Sequence, residues 1–216
     1  MQSIIGIFKD RDLRRKVIFV LGFLALFRLL AAVPIPSFDP LRRPDIFSNS
    51  FLGLLNIFSG GALDNISIVM LGVGPYITAS IIMQLFTMIF PRLKEMYQEE
   101  GEAGRQRFNQ YSRLLTVPLA LLQAYGLLVL LNRQQVIPSL SMFEYITNMI
   151  VITAGTMFLM WLGELITEKG IGNGISLLIF AGIVSGLPFD IERELFASEN
   201  IPALLAFAAA SLLVIA

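Results

Sequence analysis

Long apolar runs separated by short polar stretches organise this chain. A helix crosses about 30 Å of hydrocarbon with about 20 residues at about 1.5 Å each, and about 17 is the short limit. Four runs meet it: 17–33 (VIFVLGFLALFRLLAAV), 70–91 (MLGVGPYITASIIMQLFTMIFP), 114–132 (LLTVPLALLQAYGLLVLLN) and 145–167 (YITNMIVITAGTMFLMWLGELIT). The first holds one charge, Arg28, near enough to an end to snorkel, and the last holds only Glu164, also near an end. A fifth stretch, 172–188 (GNGISLLIFAGIVSGLP), has four glycines in 17 residues and fits less well, while 201–216 (IPALLAFAAASLLVIA) reads as the start of a sixth. The pattern predicts an all-α, polytopic helical membrane protein.

The connection 34–69 breaks the rhythm. It holds Pro34, Pro36, Pro40 and Pro44, then FLGLLNIF with helical apolar spacing, a stop at Gly60–Gly61 and a second turn at Asp64–Asn65. Two readings fit: a re-entrant half-helix, or a helix lying at the membrane interface. Non-helical backbone at membrane depth survives only where protein or a water-filled cavity satisfies its polar groups, so the first reading implies a cavity.

Composition agrees with a membrane class. Of 216 residues, 56% are hydrophobic and 15% charged, with mean hydropathy +0.74, against roughly 45–50% apolar and about 25% charged in soluble domains. The formal net charge is zero, which gives no electrostatic case for direct contact with nucleic acid. Cysteine and histidine are both absent, which excludes disulfides, thiol nucleophiles, Cys/His metal sites and imidazole bases. A cleaved signal peptide fits 17–33 poorly, because the run exceeds the usual apolar core, Arg28 interrupts it, and prolines follow in place of a small-residue cleavage site.

Charge also sets an expected orientation. With a cytoplasmic N-terminus, eleven basic residues fall inside (Lys9, Arg11, Arg14, Arg15, Lys16, Arg92, Lys94, Arg105, Arg107, Arg113, Lys169) and four outside (Arg42, Arg43, Arg133, Arg193).

Four stretches, NIFSGGAL, GPYITASIIMQL, EGEAGRQRFNQYSRLLT and GTMFLMWLGELITEKGIGNGISLLIFAGIVSGLP, in this order and spacing, resemble the SecY family, the large subunit of the bacterial protein-conducting channel. The resemblance implies the N-terminal half, the first five transmembrane helices and the start of the sixth, of a pseudo-symmetric ten-helix channel built as an inverted repeat. Residues 1–188 would form the five-helix half, with a plug at 54–65, and 189–216 an outer loop and the start of the sixth helix. It further implies a pore ring with Val73, Ile77, Ile175 and Ile179, a plug with Phe58, Ser59, Gly60 and Gly61, and a lateral gate with Thr78, Ile81 and Gln84. Both ring pairs are spaced i, i+4 and so share a helical face, as do many pairs in any apolar helix.

The function this implies is passage of unfolded polypeptides across the bacterial plasma (inner) membrane and release of transmembrane segments into the lipid bilayer, with no cofactor. Implied partners are SecE, SecG, the SecA motor or the ribosome, signal peptides and nascent polypeptides. A secondary transporter with broken helices is the alternative, but it would normally carry ionisable groups at midplane, and the runs hold only Arg28 and Glu164, near ends. An intramembrane hydrolase would need paired aspartates or a nucleophile and base inside the bilayer, and no aspartate occurs in any run. Gly170, Gly172 and Gly174 superficially resemble a phosphate loop, yet no strand precedes them and no Gly-Lys-Ser/Thr ending follows.

Overall fold

A computed structural model describes residues 10–36, 59, 62–63, 65–138 and 140–197, with backbone alone over 187–197. The described residues form six helices and no strand: α1 (Arg11–Ala31), α2 (Gly74–Ile89), α3 (Pro91–Gln98), α4 (Gly101–Arg133), α5 (Met142–Lys169) and α6 (Gly174–Ala197). Two of them, α4 and α5, are each long and apolar enough to cross a membrane, and α2 with α3 makes a third such piece bent by 113°.

α1 starts on Asp10, whose side chain accepts from the Asp12 N–H at 3.0 Å, and buries Val20, Phe27 and Ala31. It packs on α5 and α6. Beyond it the chain meets a later segment: the Ile35 N–H donates to the Ile66 carbonyl, and the Ile68 N–H to the Val33 carbonyl, both at 3.0 Å. Residues 62–63 and 65–73 lie in turns, not helix, and pair internally through Ile66 to Leu63, Ser67 to Ala62 and Gly72 to Val69. Buried irregular backbone is tolerable here because its polar groups are bonded. Ile66 holds φ +43, a left-handed conformation that a β-branched residue adopts only when its surroundings impose it.

The apolar run that begins at 70 is therefore helical only from Gly74, with Pro75 pre-set for a helix start. α2 has 16 residues, about 24 Å. It ends because Pro91 pushes Phe90 into the extended region (φ −108, ψ 108), and α3 leaves at the sharp angle. α3 folds back on α4, where a Cβ at Gly104 would overlap the Met96 carbonyl oxygen, and the Tyr97 and Phe108 rings lie 4.8 Å apart.

α4 buries Gly104, Phe108, Ser112, Thr116, Ala120, Ala124 and Leu128, each four residues from the last. That mostly small stripe lets α2 and α5 approach closely. α5 opens on a capping box: Ser141 Oγ accepts from the Glu144 N–H at 3.3 Å, and Glu144 Oε2 accepts from the Ser141 N–H at 2.7 Å. At its middle, a Cβ on Gly155 would overlap the Ile68 carbonyl oxygen, so α5 crosses bare backbone of the 62–73 segment. α6 runs on through Pro188 to Ala197, past the expected end at 188 and into the stretch expected to be loop. Large apolar side chains face outward on α2 (Met88), α5 (Phe143, Trp161) and α6 (Phe180), the arrangement expected where lipid is the solvent.

Candidate functional site

Two cavities among the described residues are similar in size and opposite in chemistry. One, of about 570 Å³, is walled by Leu63, Met70, Leu71, Leu122, Leu127 and Leu130, with Ser59, Thr78 and Gln123 as its polar groups. The other, of about 630 Å³, is walled by Tyr76, Ser80, Asn109, Ser112, Thr167, Asn173 and Ser176, together with Arg113, Glu164 and Glu168. Ile77 and Ile179 line both. They are the wall between an apolar chamber and a polar one.

The four residues assigned to the ring come together at that wall. Val73 lies on the apolar side and Ile175 on the polar side, flanking the shared pair. All four belong to one apolar cluster with Val69, Leu159, Leu162 and Leu178. Of the plug residues, Ser59 is buried, lines the apolar cavity and accepts from the Leu63 N–H at 3.3 Å. Phe58, Gly60 and Gly61, with most of 54–65, lie outside the described residues.

The gate residues divide between the chambers. Thr78 lines the apolar one, its Oγ1 donating to the Gly74 carbonyl at 3.0 Å, while Ile81 and Gln84 line the polar one. Gln84 is exposed and lines that cavity.

Several polar groups at the site were not singled out in the sequence. Arg113 Nε donates to Glu164 Oε1 at 2.5 Å, tying the body of α4 to the last turns of α5. Part of the signal was available: Arg113 borders the run 114–132 and Glu164 is the one charge inside 145–167, and antiparallel neighbours on a short connection bring such positions together. The tip between α5 and α6 is also built, not merely glycine-rich. Thr167 Oγ1 donates to the Gly163 carbonyl and accepts from the Gly174 N–H, both at 2.8 Å, and Asn173 Oδ1 accepts from the Ser176 N–H at 3.1 Å.

Comparison with known proteins agrees with this architecture. A family model described as SecY matches residues 67–216. The chain is 45% identical over 204 residues to a protein translocase subunit SecY of Corynebacterium glutamicum, covering 88% of this chain and 46% of that one. It is 50% identical over 177 residues to a protein translocase subunit SecY of Pseudomonas aeruginosa, covering 80% and 40%. Among solved structures, one described as a protein conducting channel aligns with TM-score 0.64 at 20% identity, covering 91% of this chain and 45% of that chain. Sec61 in a canine ribosome-channel complex from the endoplasmic reticulum aligns with the same score and identity, covering 91% and 46%. The chain thus spans less than half the length of these relatives. With a family match over most of its length, this chain belongs to the SecY family.

Proposed function

We propose that this chain supplies one half of a passive protein-conducting channel in the bacterial plasma membrane, its N-terminus cytoplasmic, through which unfolded polypeptides pass and from which transmembrane segments leave sideways. The observation that carries the proposal is the wall formed by Ile77 and Ile179 between the two chambers. Aliphatic groups there close around an extended chain without offering charge or hydrogen bonds, so segments of varied sequence slide past. Val73 and Ile175 complete this half of the waist.

Residues 54–65 act as the plug, and the buried Ser59 in the apolar chamber supports that placement. Thr78, Ile81 and Gln84 line the near wall of the lateral gate. The chain is a conduit, not a catalyst, and its energy comes from SecA or the ribosome; SecE and SecG complete the assembly. A coupled transporter is disfavoured because, of the ionisable groups lining the cavities, Glu164 and Glu168 sit toward the end of α5 and Arg113 is paired with Glu164.

The test is replacement of Ile77 and Ile179 by glycine in the full-length channel, reconstituted in planar bilayers. Resting ion conductance is expected to rise several-fold with precursor passage retained. Unchanged conductance removes the waist from the mechanism.

A further inference from the structure

The first turn of α6, which carries Ile175, is tied to α5 by a side-chain hydroxyl. Thr167 sits in the last turns of α5, and its Oγ1 bridges the Gly163 carbonyl and the Gly174 N–H. Gly174 is the first residue of α6, so its N–H is one of those that a helix start leaves without an intrahelical partner. The bridge thus fixes the first turn of α6 on α5.

Both glycines are needed for so close an approach. A Cβ at 174 would overlap the Gly163 carbonyl oxygen, and a Cβ at 163 would overlap the Ile175 side chain. Ile175 therefore rests on bare backbone of α5, and Ile179 follows one turn later on the same face. Thr167 itself lines the polar cavity beside both isoleucines. Inside a low-dielectric site, a two-bond hydroxyl resists distortion more than a solvated one, and its loss leaves the Gly174 N–H unpaired.

We propose that Thr167 is a positioning residue for the waist: its hydroxyl sets the register of α6 against α5 and thereby how far Ile175 and Ile179 reach toward α2. This rests on the waist reading given above. It adds to that reading a residue that forms no part of the ring.

The experiment compares four full-length channels in planar bilayers at equal inserted amounts: wild type, Thr167→Val, Thr167→Ser and the double glycine variant at 77 and 179. Valine keeps the shape of threonine and removes both hydrogen bonds, whereas serine keeps the hydroxyl. Thr167→Val is expected to raise resting conductance roughly fivefold, the shift in a closed-to-open ratio that loss of the one bond between α6 and α5, Gly174 N–H to Thr167 Oγ1, produces, and Thr167→Ser to match wild type. If Thr167→Val does not accumulate, Thr167→Ala removes the same hydroxyl with more room and is read on the same scale. Equal leak from valine and serine, or no leak from valine while the glycine variant leaks, overturns the proposal and leaves the waist standing. A tight glycine variant removes the waist, and this inference with it.

Discussion

The apolar and polar chambers are walled largely by the same helices, yet they are held together by different means. Around the apolar chamber, Leu63, Met70, Ile66, Leu128, Leu131 and Ile152 form a buried cluster, and among the described residues no ionisable group lines the space. Around the polar chamber the ties are discrete: the Arg113–Glu164 pair and the Thr167 and Asn173 bonds at the tip. Area-dependent cohesion is spread over many atoms and yields little to any one change in direction. Discrete polar ties specify geometry at few points, and each partner left alone pays for its desolvation.

The strongest way to break this contrast is at Gly155, where α5 crosses the 62–73 segment. Gly155→Val should destabilise the full-length channel by about 3 kcal/mol, at the upper end of overpacking costs, because the obstacle is backbone. The measurement is thermal unfolding of the purified channel in detergent; a midpoint near wild type would show that the segment can give way.

A gentler comparison truncates one side chain of similar length in each chamber. Met70 is 2% exposed, so Met70→Ala should cost about 2 kcal/mol, while Gln84→Ala in the exposed lining of the polar chamber should stay within about 0.5 kcal/mol. Equal midpoint shifts in the same assay would erase the distinction drawn between the two regions.

The smallest effect lies outside both chambers, at the start of α5. The backbone and side-chain hydrogen bonds of Ser141 hold the Glu144 carboxyl below its ordinary value. A group whose folded-state pKa is depressed contributes stability above its unfolded pKa and loses it as pH falls through the folded value. Wild type should therefore exceed Glu144→Gln slightly at neutral pH, with the gap closing on acidification. A gap that widens in acid would contradict the capping role.

The helical fold class was legible because apolar runs such as 114–132 and 145–167 are too long for anything but membrane helices. The start of α2 was not, since nothing in the MLGV of 70–73 separates buried turns from helix. What decides it is pairing with Val33 and Ile35, far away in sequence, and an isoleucine forced to φ +43. Pro188 suggested an end to the last described helix, but one proline does not stop α6, which continues to Ala197. For the site, i, i+4 spacing alone could not pick Ile77 or Ile179 from their apolar neighbours, and the resemblance did that. The polar chamber escaped notice because its members are scattered over α2, α4, α5 and the tip, and only folding gathers them.

α4 has 33 residues, about 50 Å of rod in a hydrocarbon layer of about 30 Å. One end has to stand clear of the lipid, and there α3 is clasped against it by Tyr97 and Phe108. The clasp and the walls of both chambers therefore share one helix, with Pro118 set between the stretch that lines the polar chamber and the stretch that lines the apolar one.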